Sequence, residues 1–274
     1  MNKIYFILGL GMIGASYAKK LSSLGYCVYG YDKDELTNKE AVRLGYIKDY
    51  GLKYLSKSDN VILTLYPHDN YLFVKENLKL FNDVSFITDV SGVKEELIKN
   101  INKILPNKEK YLSHHPMAGS EKSGISAANE EVFIDANFLI VFEEEPNKET
   151  LEELLKLKSD LEFGRVTKIR AKEHDLLVSF TSQLPHMLAV SLVNSDIFLE
   201  TRSFAGDSYK DLTRIANINE ELWSELFFSN KDKLLEQMER FNKEFRELFN
   251  LLKSENKKEL KEKLKKAKEK RSSY

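Results

Sequence analysis

Residues 3–14 read KIYFILGLGMIG, an apolar run that feeds straight into Gly9, Gly11 and Gly14. A glycine pattern G-x-G-x-x-G has little meaning alone. Here it follows a strand-like segment, Lys3–Leu8, and opens a helical one, Met12–Leu24, which is the context a dinucleotide site requires. Gly9 permits the tight turn, Gly11 lets the backbone approach a pyrophosphate, and Gly14 lets helix and strand pack closely. The N–H groups at the helix start, around Met12 and Ile13, would hold the phosphates. A second strand-like run, Cys27–Tyr31, ends at Asp32, 18 residues beyond Gly14. A carboxylate there accepts hydrogen bonds from the ribose hydroxyls and repels a 2′-phosphate, so the expected cofactor is NAD rather than NADP. Lys33 next to it weakens that exclusion.

Outward from this motif, short apolar runs alternate with helical stretches, which predicts βαβ units and a doubly wound parallel sheet of Rossmann type. Further candidate strands are Val61–Tyr66, Val84–Val90, Tyr111–His115, Ala136–Phe142 and Arg165–Arg170, with amphipathic helices at Lys94–Ile104 and Lys148–Leu161 between them. Val61–Leu65 and Phe86–Val90 are apolar on both faces, as strands covered by helices on each side must be. Thr64 falls where the strand Val61–Tyr66 should end over the cofactor. After Ala171 strand-like runs vanish, and Lys172–Leu199, Ile218–Leu252 and Asn256–Lys270 read as helices. The last is rich in Lys and Glu and reads as a solvated terminal helix, with packing in a dimer as the alternative. The expected division is a nucleotide-binding domain over 1–170 and an all-α domain over 171–274.

A net charge of −1 argues against a nucleic-acid binder. The single cysteine, Cys27, excludes a disulfide framework and leaves no cysteine-based metal site, so no metal is expected. No signal-peptide pattern is present, and no apolar run approaches the ~20 residues of a membrane helix. The expected location is the cytoplasm.

The densest titratable cluster is His114–Glu121, HHPMAGSE, in a chain with five histidines. Imidazole is the side chain best suited to exchange a proton near neutrality. A polar turn after an apolar strand is where α/β enzymes place such a group. Strand ends in a Rossmann sheet open onto the crevice where substrate meets cofactor. Ser91, in Thr88-Asp-Val-Ser-Gly-Val-Lys94, should lie there. The helical half offers Ser182-Gln-Leu-Pro-His186, Gly206–Arg214 and Trp223. His186 follows Pro185, whose local distortion of a helix can aim a side chain into a site. Only 8 of the 42 basic residues are arginines. Arg214, in a segment flanked by glycine and aspartate, therefore hints at bidentate carboxylate binding.

The series GLGMIG, TDVSGVK, HPMAGSE, SQLPH and DLTRIA…LW resembles the prephenate dehydrogenase family, which includes arogenate and cyclohexadienyl dehydrogenases. The likeness runs in order over essentially the whole chain. It implies a Rossmann domain followed by a helical domain that forms a homodimer. The implied reaction is oxidative decarboxylation of prephenate to 4-hydroxyphenylpyruvate, in tyrosine biosynthesis. By the family pattern His115, not His114, accepts the C4 hydroxyl proton. His186 and Arg214 match the carboxylate-binding positions, Ser120 and Glu121 polar residues of the pocket, and Asp211 an acid that orders the network with Arg214. Trp223 matches a residue that reaches into the neighbouring subunit's site.

Two departures stand out. The family usually has Gly-Ser before Val-Lys, where this chain has Ser91-Gly92. A histidine is frequent where this chain has Gln183, so the implied loss is of a titratable group on the rim of the site. The chain ends at Tyr274, shorter than relatives with an ACT or chorismate mutase domain, so neither is expected. Arogenate is the alternative substrate. A β-hydroxyacid dehydrogenase shares the layout but not HPMAGSE or LPH. An NAD-binding sensor without turnover would not need His115 and Arg214.

Overall fold

Strands and helices alternate through the first half of the chain in the computed structural model, which describes residues 3–118 and 122–274. In order they are β1 (Ile4–Leu8), α1 (Met12–Ser23), β2 (Cys27–Tyr31), α2 (Glu35–Arg43), β3 (Asp49–Tyr50), β4 (Asn60–Leu63), α3 (Pro67–Glu76), β5 (Phe86–Asp89) and α4 (Glu95–Ile104). The five strands form a parallel sheet ordered β3-β2-β1-β4-β5. β4 and β5 are buried at every residue, as their two-sided apolar sequences require. β3 is too short to carry a periodic signal. Pro67 opens α3, so the predicted strand Val61–Tyr66 stops at Leu63.

A second, three-stranded sheet, ordered β6-β7-β8, is built from β6 (Ser113–Pro116), β7 (Phe138–Phe142) and, after α5 (Lys148–Asp160), β8 (Val166–Arg170). The Ile87–Tyr111 bridge continues the parallel run toward β6. β6 and β7 are antiparallel, whereas β7 and β8 are parallel. An apolar run marks a strand but not its direction, so this one reversal is invisible in the sequence. Alternation along β1 sends Tyr5 and Ile7 to the layer packed by Tyr17, Leu21, Phe133 and Phe138, and Phe6 and Leu8 to the layer packed by Val61, Leu63 and Val74.

From Ala171 onward the chain is helical: α6 (Ala171–Val178), a π-helical turn Ser179–Gln183, α7 (Leu184–Asn194), α8 (Thr201–Phe204), α9 (Asp207–Thr213), α10 (Glu220–Ser229), α11 (Lys231–Lys253) and α12 (Lys257–Ser272). The predicted helix Ile218–Leu252 is two helices that meet at Asn230, whose buried amide is engaged elsewhere in the protein. α12 has no buried residue and is tied to α11 by Lys263, which pairs with Glu244 and Glu247. Contrary to expectation, Ala171–Asn194 is long and apolar enough, by length and composition, to cross a bilayer. Its His174, Asp175 and Gln183 are buried and bonded to other parts of the protein, whereas Leu176, Leu177 and Phe180 on it are exposed.

Candidate active site

The glycine loop has the shape its sequence requires. Gly9 sits at φ 89°, a left-handed conformation open to glycine. A Cβ on Gly14 would overlap the Gly9 carbonyl oxygen and the Thr64 hydroxyl, whereas one on Gly11 would meet nothing within 4 Å. The loop is closed on the protein side and open where a pyrophosphate would approach. Thr64 braces the loop: its hydroxyl lies 2.8 Å from the Leu8 carbonyl and 2.7 Å from that of Gly9. Its hydroxyl is thus turned to the backbone beneath the cofactor position. Asp32 accepts from Leu10 N–H at 2.8 Å and from Asp34 N–H at 3.0 Å, one bond per carboxylate oxygen. Asn38, buried on α2, pins the Asp32 backbone through both its N–H and its carbonyl. The remaining lone pairs of the carboxylate fit a pair of ribose hydroxyls, so the residues present suit NAD.

His115 lies on β6, on the side where the parallel strands end. Its Nδ1 is 2.8 Å from Nε2 of His174 on α6, and Nδ1 of His174 is 2.7 Å from Oδ1 of Asp175. A carboxylate only accepts, so the proton pattern along this chain is fixed. His174 donates from Nδ1 to Asp175, His115 donates from Nδ1 to His174, and His115 Nε2 is left as a lone pair. Asp175 is anchored in turn by the N–H groups of Lys94 and Glu95, each at 2.9 Å, at the start of α4. Burial, with the neighbouring His174 ring and the Lys94 ammonium adding to it, holds the His115 pKa well below the usual imidazole range. Burial lowers that of His174 as well, against the pull of Asp175. His115 is therefore neutral at pH 7, with a lone pair on Nε2. The acid limb of a kcat–pH profile is expected below the ordinary imidazole value of ~6.5. Activity should persist on lowering the pH until His115 itself takes a proton; an acid limb at or above pH ~7 would contradict this.

Beneath the histidines lies a fully buried ion pair. Lys94 Nζ is 2.7 Å from Asp89 Oδ1 and 2.6 Å from the His114 carbonyl, and the Tyr111 hydroxyl donates to Asp89 Oδ2 at 2.7 Å. Ser91 is buried nearby, its Oγ accepting from Asn70 Nδ2 at 3.1 Å. Asn70 also bonds both backbone groups of Leu65 and so joins the loops that follow β4 and β5. The Ser-Gly order has a packing reason: a Cβ on Gly92 would lie 3.3 Å from a Leu226 methyl.

His186, Arg214 and Trp223 come together in the helical half. His186 donates from Nδ1 to the Ser182 carbonyl at 2.8 Å and stacks on Trp223 at 3.6 Å. Burial lowers the His186 pKa; the bond to Ser182 opposes this, and the charge of Arg214 adds to the lowering. Trp223 thus lies on His186 of its own chain. Asp211 departs from expectation: it is exposed on α9, and among the described residues no hydrogen bond or ion pair joins it to Arg214. Asp211 on α9 and Arg214 at the start of the 3₁₀ turn that follows it are both exposed. Ser120 and Glu121 lie outside the described residues.

Gln183 also departs from expectation. It is a buried clamp rather than a rim residue. Its amide donates to the Leu226 carbonyl at 2.8 Å and accepts from Asn230 at 2.9 Å, while Asn230 donates to the Asp175 carbonyl at 2.8 Å. The residues the sequence does not single out are His174, Asp175, Asn70 and Asn230. For His174 a signal existed: it is one of five histidines, with an acid beside it at the start of the helical half.

Comparisons with known proteins point the same way. The family model described as prephenate dehydrogenase, nucleotide-binding domain, matches residues 17–166, and that described as prephenate dehydrogenase, dimerization domain, matches 170–266. A prephenate dehydrogenase of Lactococcus lactis is 32% identical over 90% of this chain and 70% of its own length. A cyclohexadienyl dehydrogenase of Zymomonas mobilis is 27% identical over 88% and 86%. Among solved structures, prephenate dehydrogenase from A. aeolicus in complex with hydroxyphenyl propionate and NAD+ superimposes with a TM-score of 0.90, at 27% identity, over 100% of this chain and 98% of that one. The two family models between them match nearly the whole of the described sequence from residue 17 to residue 266, and the chain belongs to the prephenate dehydrogenase family.

Proposed function

We propose that this chain is an NAD-dependent dehydrogenase that converts prephenate to 4-hydroxyphenylpyruvate with loss of CO2, residues 1–170 binding NAD and 171–274 binding substrate and forming a homodimer in the cytoplasm. The observation that carries the reading is the Asp175–His174–His115 chain, which leaves an acceptor nitrogen on the strand-end side of the sheet. Gly9, Gly11, Met12, Ile13 and Gly14 would hold the pyrophosphate, Asp32 the ribose, and Thr64 the loop from beneath. When bound, NAD supplies the acceptor for the hydride that leaves C4.

His115 Nε2 takes the proton of the C4 hydroxyl, so that the C4–O bond becomes a carbonyl without an alkoxide in a buried site. The positive charge that develops on His115 is spread toward His174 and met by Asp175. Loss of the ring carboxylate as CO2 then makes the ring aromatic, and the proton held on His115 returns to the C4 oxygen to give the phenol hydroxyl. Ser91, whose hydroxyl proton remains to be donated after it accepts from Asn70, assists at the C4 oxygen. Arg214 and His186 hold a substrate carboxylate, with Trp223 fixing the His186 ring plane. Ser120 and Glu121 enter this reading by the family pattern alone, and Asp211 contributes negative charge near Arg214.

The homodimer rests on apolar surface that a lone chain leaves to solvent: Ile197, Phe198, Leu199 and Phe204 are exposed, and Phe198 and Phe204 line a hollow of about 350 Å³ in the helical half. Contiguous exposure of this kind marks an interaction face.

Incubation of the purified chain with NAD and prephenate, or NAD and arogenate, tests the function through NADH absorbance. Turnover of prephenate is expected; turnover of arogenate alone would reassign the substrate, and none with either would reject the reading. Arg214→Ala is expected to raise the prephenate KM by about tenfold or more, as loss of a charged hydrogen bond implies. A fall confined to kcat would move Arg214 to the chemical step.

A further inference from the structure

His114 has no part in the chemistry above, yet it is completely enclosed. Successive residues of a strand face opposite ways, so His114 leaves β6 on the side away from His115. There its ring stacks on Phe138, 4.7 Å apart and inclined by 19°. Nε2 is 2.6 Å from the Tyr17 hydroxyl on α1, and Nδ1 is 2.7 Å from Thr88 Oγ1 on β5. The carbonyl of the same residue receives Lys94 Nζ. One residue is thus gripped by the helix that follows the glycine loop, by the strand that leads to Ser91, and by the buried lysine.

The ring is neutral. Burial, reinforced by the Lys94 charge, takes its pKa down to about 3. Burial also keeps the Tyr17 proton in place, raising its pKa well above the usual phenol range. A phenol that retains its proton is the stronger donor of the two hydroxyls. Tyr17 therefore donates to Nε2, and His114 donates from Nδ1 to Thr88. A neutral imidazole links α1 to β5 through both nitrogens without placing a further charge beside His115.

We propose that His114 is a positioning residue, locking the coenzyme-binding helix α1 to the strand that carries His115 so that proton acceptor and coenzyme keep one register. The proposal rests on the dehydrogenase reading above. Its physical basis is the sensitivity of transfer reactions to placement, where a displacement of about 1 Å can cost ~10²-fold in rate. Tyr17 packs on Phe133 at 4.6 Å, so Tyr17→Phe can keep the ring contact and remove only the hydroxyl. Thr88→Val removes the bond on the other side of the ring.

The test measures backbone hydrogen exchange over residues 9–16 in the NAD-free chain, NAD affinity, and kcat, in Tyr17→Phe and Thr88→Val. Expected in Tyr17→Phe are faster exchange over 9–16, weaker NAD binding, and a kcat lower by about tenfold with prephenate KM within about twofold, the cost of one unmet buried acceptor. In a His115→Asn background the same substitution should bring little further loss of kcat, because no acceptor remains to be placed. Equal losses in the two backgrounds, or kcat within about twofold of wild type in both single variants, would overturn the proposal. Absence of turnover in the wild-type chain would reject the parent reading instead. Exchange and NAD affinity then still decide the lock, and values unchanged by Tyr17→Phe would refute it.

Discussion

His115→Asn is expected to lower kcat by ~10²–10⁴, the range typical of a positioned general base. Asparagine can still donate to His174 Nε2 and so preserves the hydrogen bond behind the ring. What it lacks is the second nitrogen, the one atom placed to accept the C4 proton. Since the glycine loop and Asp32 make no contact with the His115 side chain among the bonds described, NAD affinity should stay close to wild type. The measurement is steady-state turnover beside NAD titration of the same preparation. A kcat near normal would remove His115 as the acceptor. A collapse of NAD affinity would make the loss one of folding or binding rather than of chemistry.

The largest effect on stability is expected at Lys94. Lys94→Met would leave the Asp89 carboxylate and the His114 carbonyl without their cation in a region that water does not reach. Breaking a buried pair from one side typically costs about 3–5 kcal/mol, because the abandoned charge has no solvent to turn to. For a chain of this size that corresponds to a fall in Tm on the order of 10 °C. The same substitution in an Asp89→Asn background should cost much less, since no charge is then stranded. Equal falls in both backgrounds would show that Lys94 matters through packing of its stem and not through the ion pair.

The parts of this molecule that are legible in its sequence are those written in local patterns. KIYFILGLGMIG specifies strand, turn and helix within a dozen residues, and Asp32 falls at the end of the next strand. β4 and β5 announce their burial through Val61–Leu63 and Phe86–Ile87, apolar on both faces. HHPMAGSE and LPH mark the two sides of the site because histidine is scarce in the chain. What is not legible depends on residues far apart in sequence. His174 gains its meaning only from a ring 59 residues earlier. Gln183 looks like a pocket residue until Leu226 and Asn230 take up its amide. Asn230 breaks a helix that its local sequence would continue, and the direction of β7 depends on where β6 already lies. Asp211 and Arg214 have the spacing of a helical pair, yet both side chains are exposed and among the described residues no bond joins Asp211 to Arg214.

The π-helical turn Ser179–Gln183 has a consequence for direction. His174 and His186 stand 12 residues apart on one continuous helix. In an unbroken α-helix, at about 100° per residue, they would point roughly 120° apart. A π-turn absorbs one residue as a bulge, which brings the two azimuths to within about 20° of each other. It also relaxes the turn in which Pro185 has no N–H to give. The bulge acts as a phase correction, turning one rod so that the ring behind the proton acceptor and the ring beside Arg214 look out along the same line.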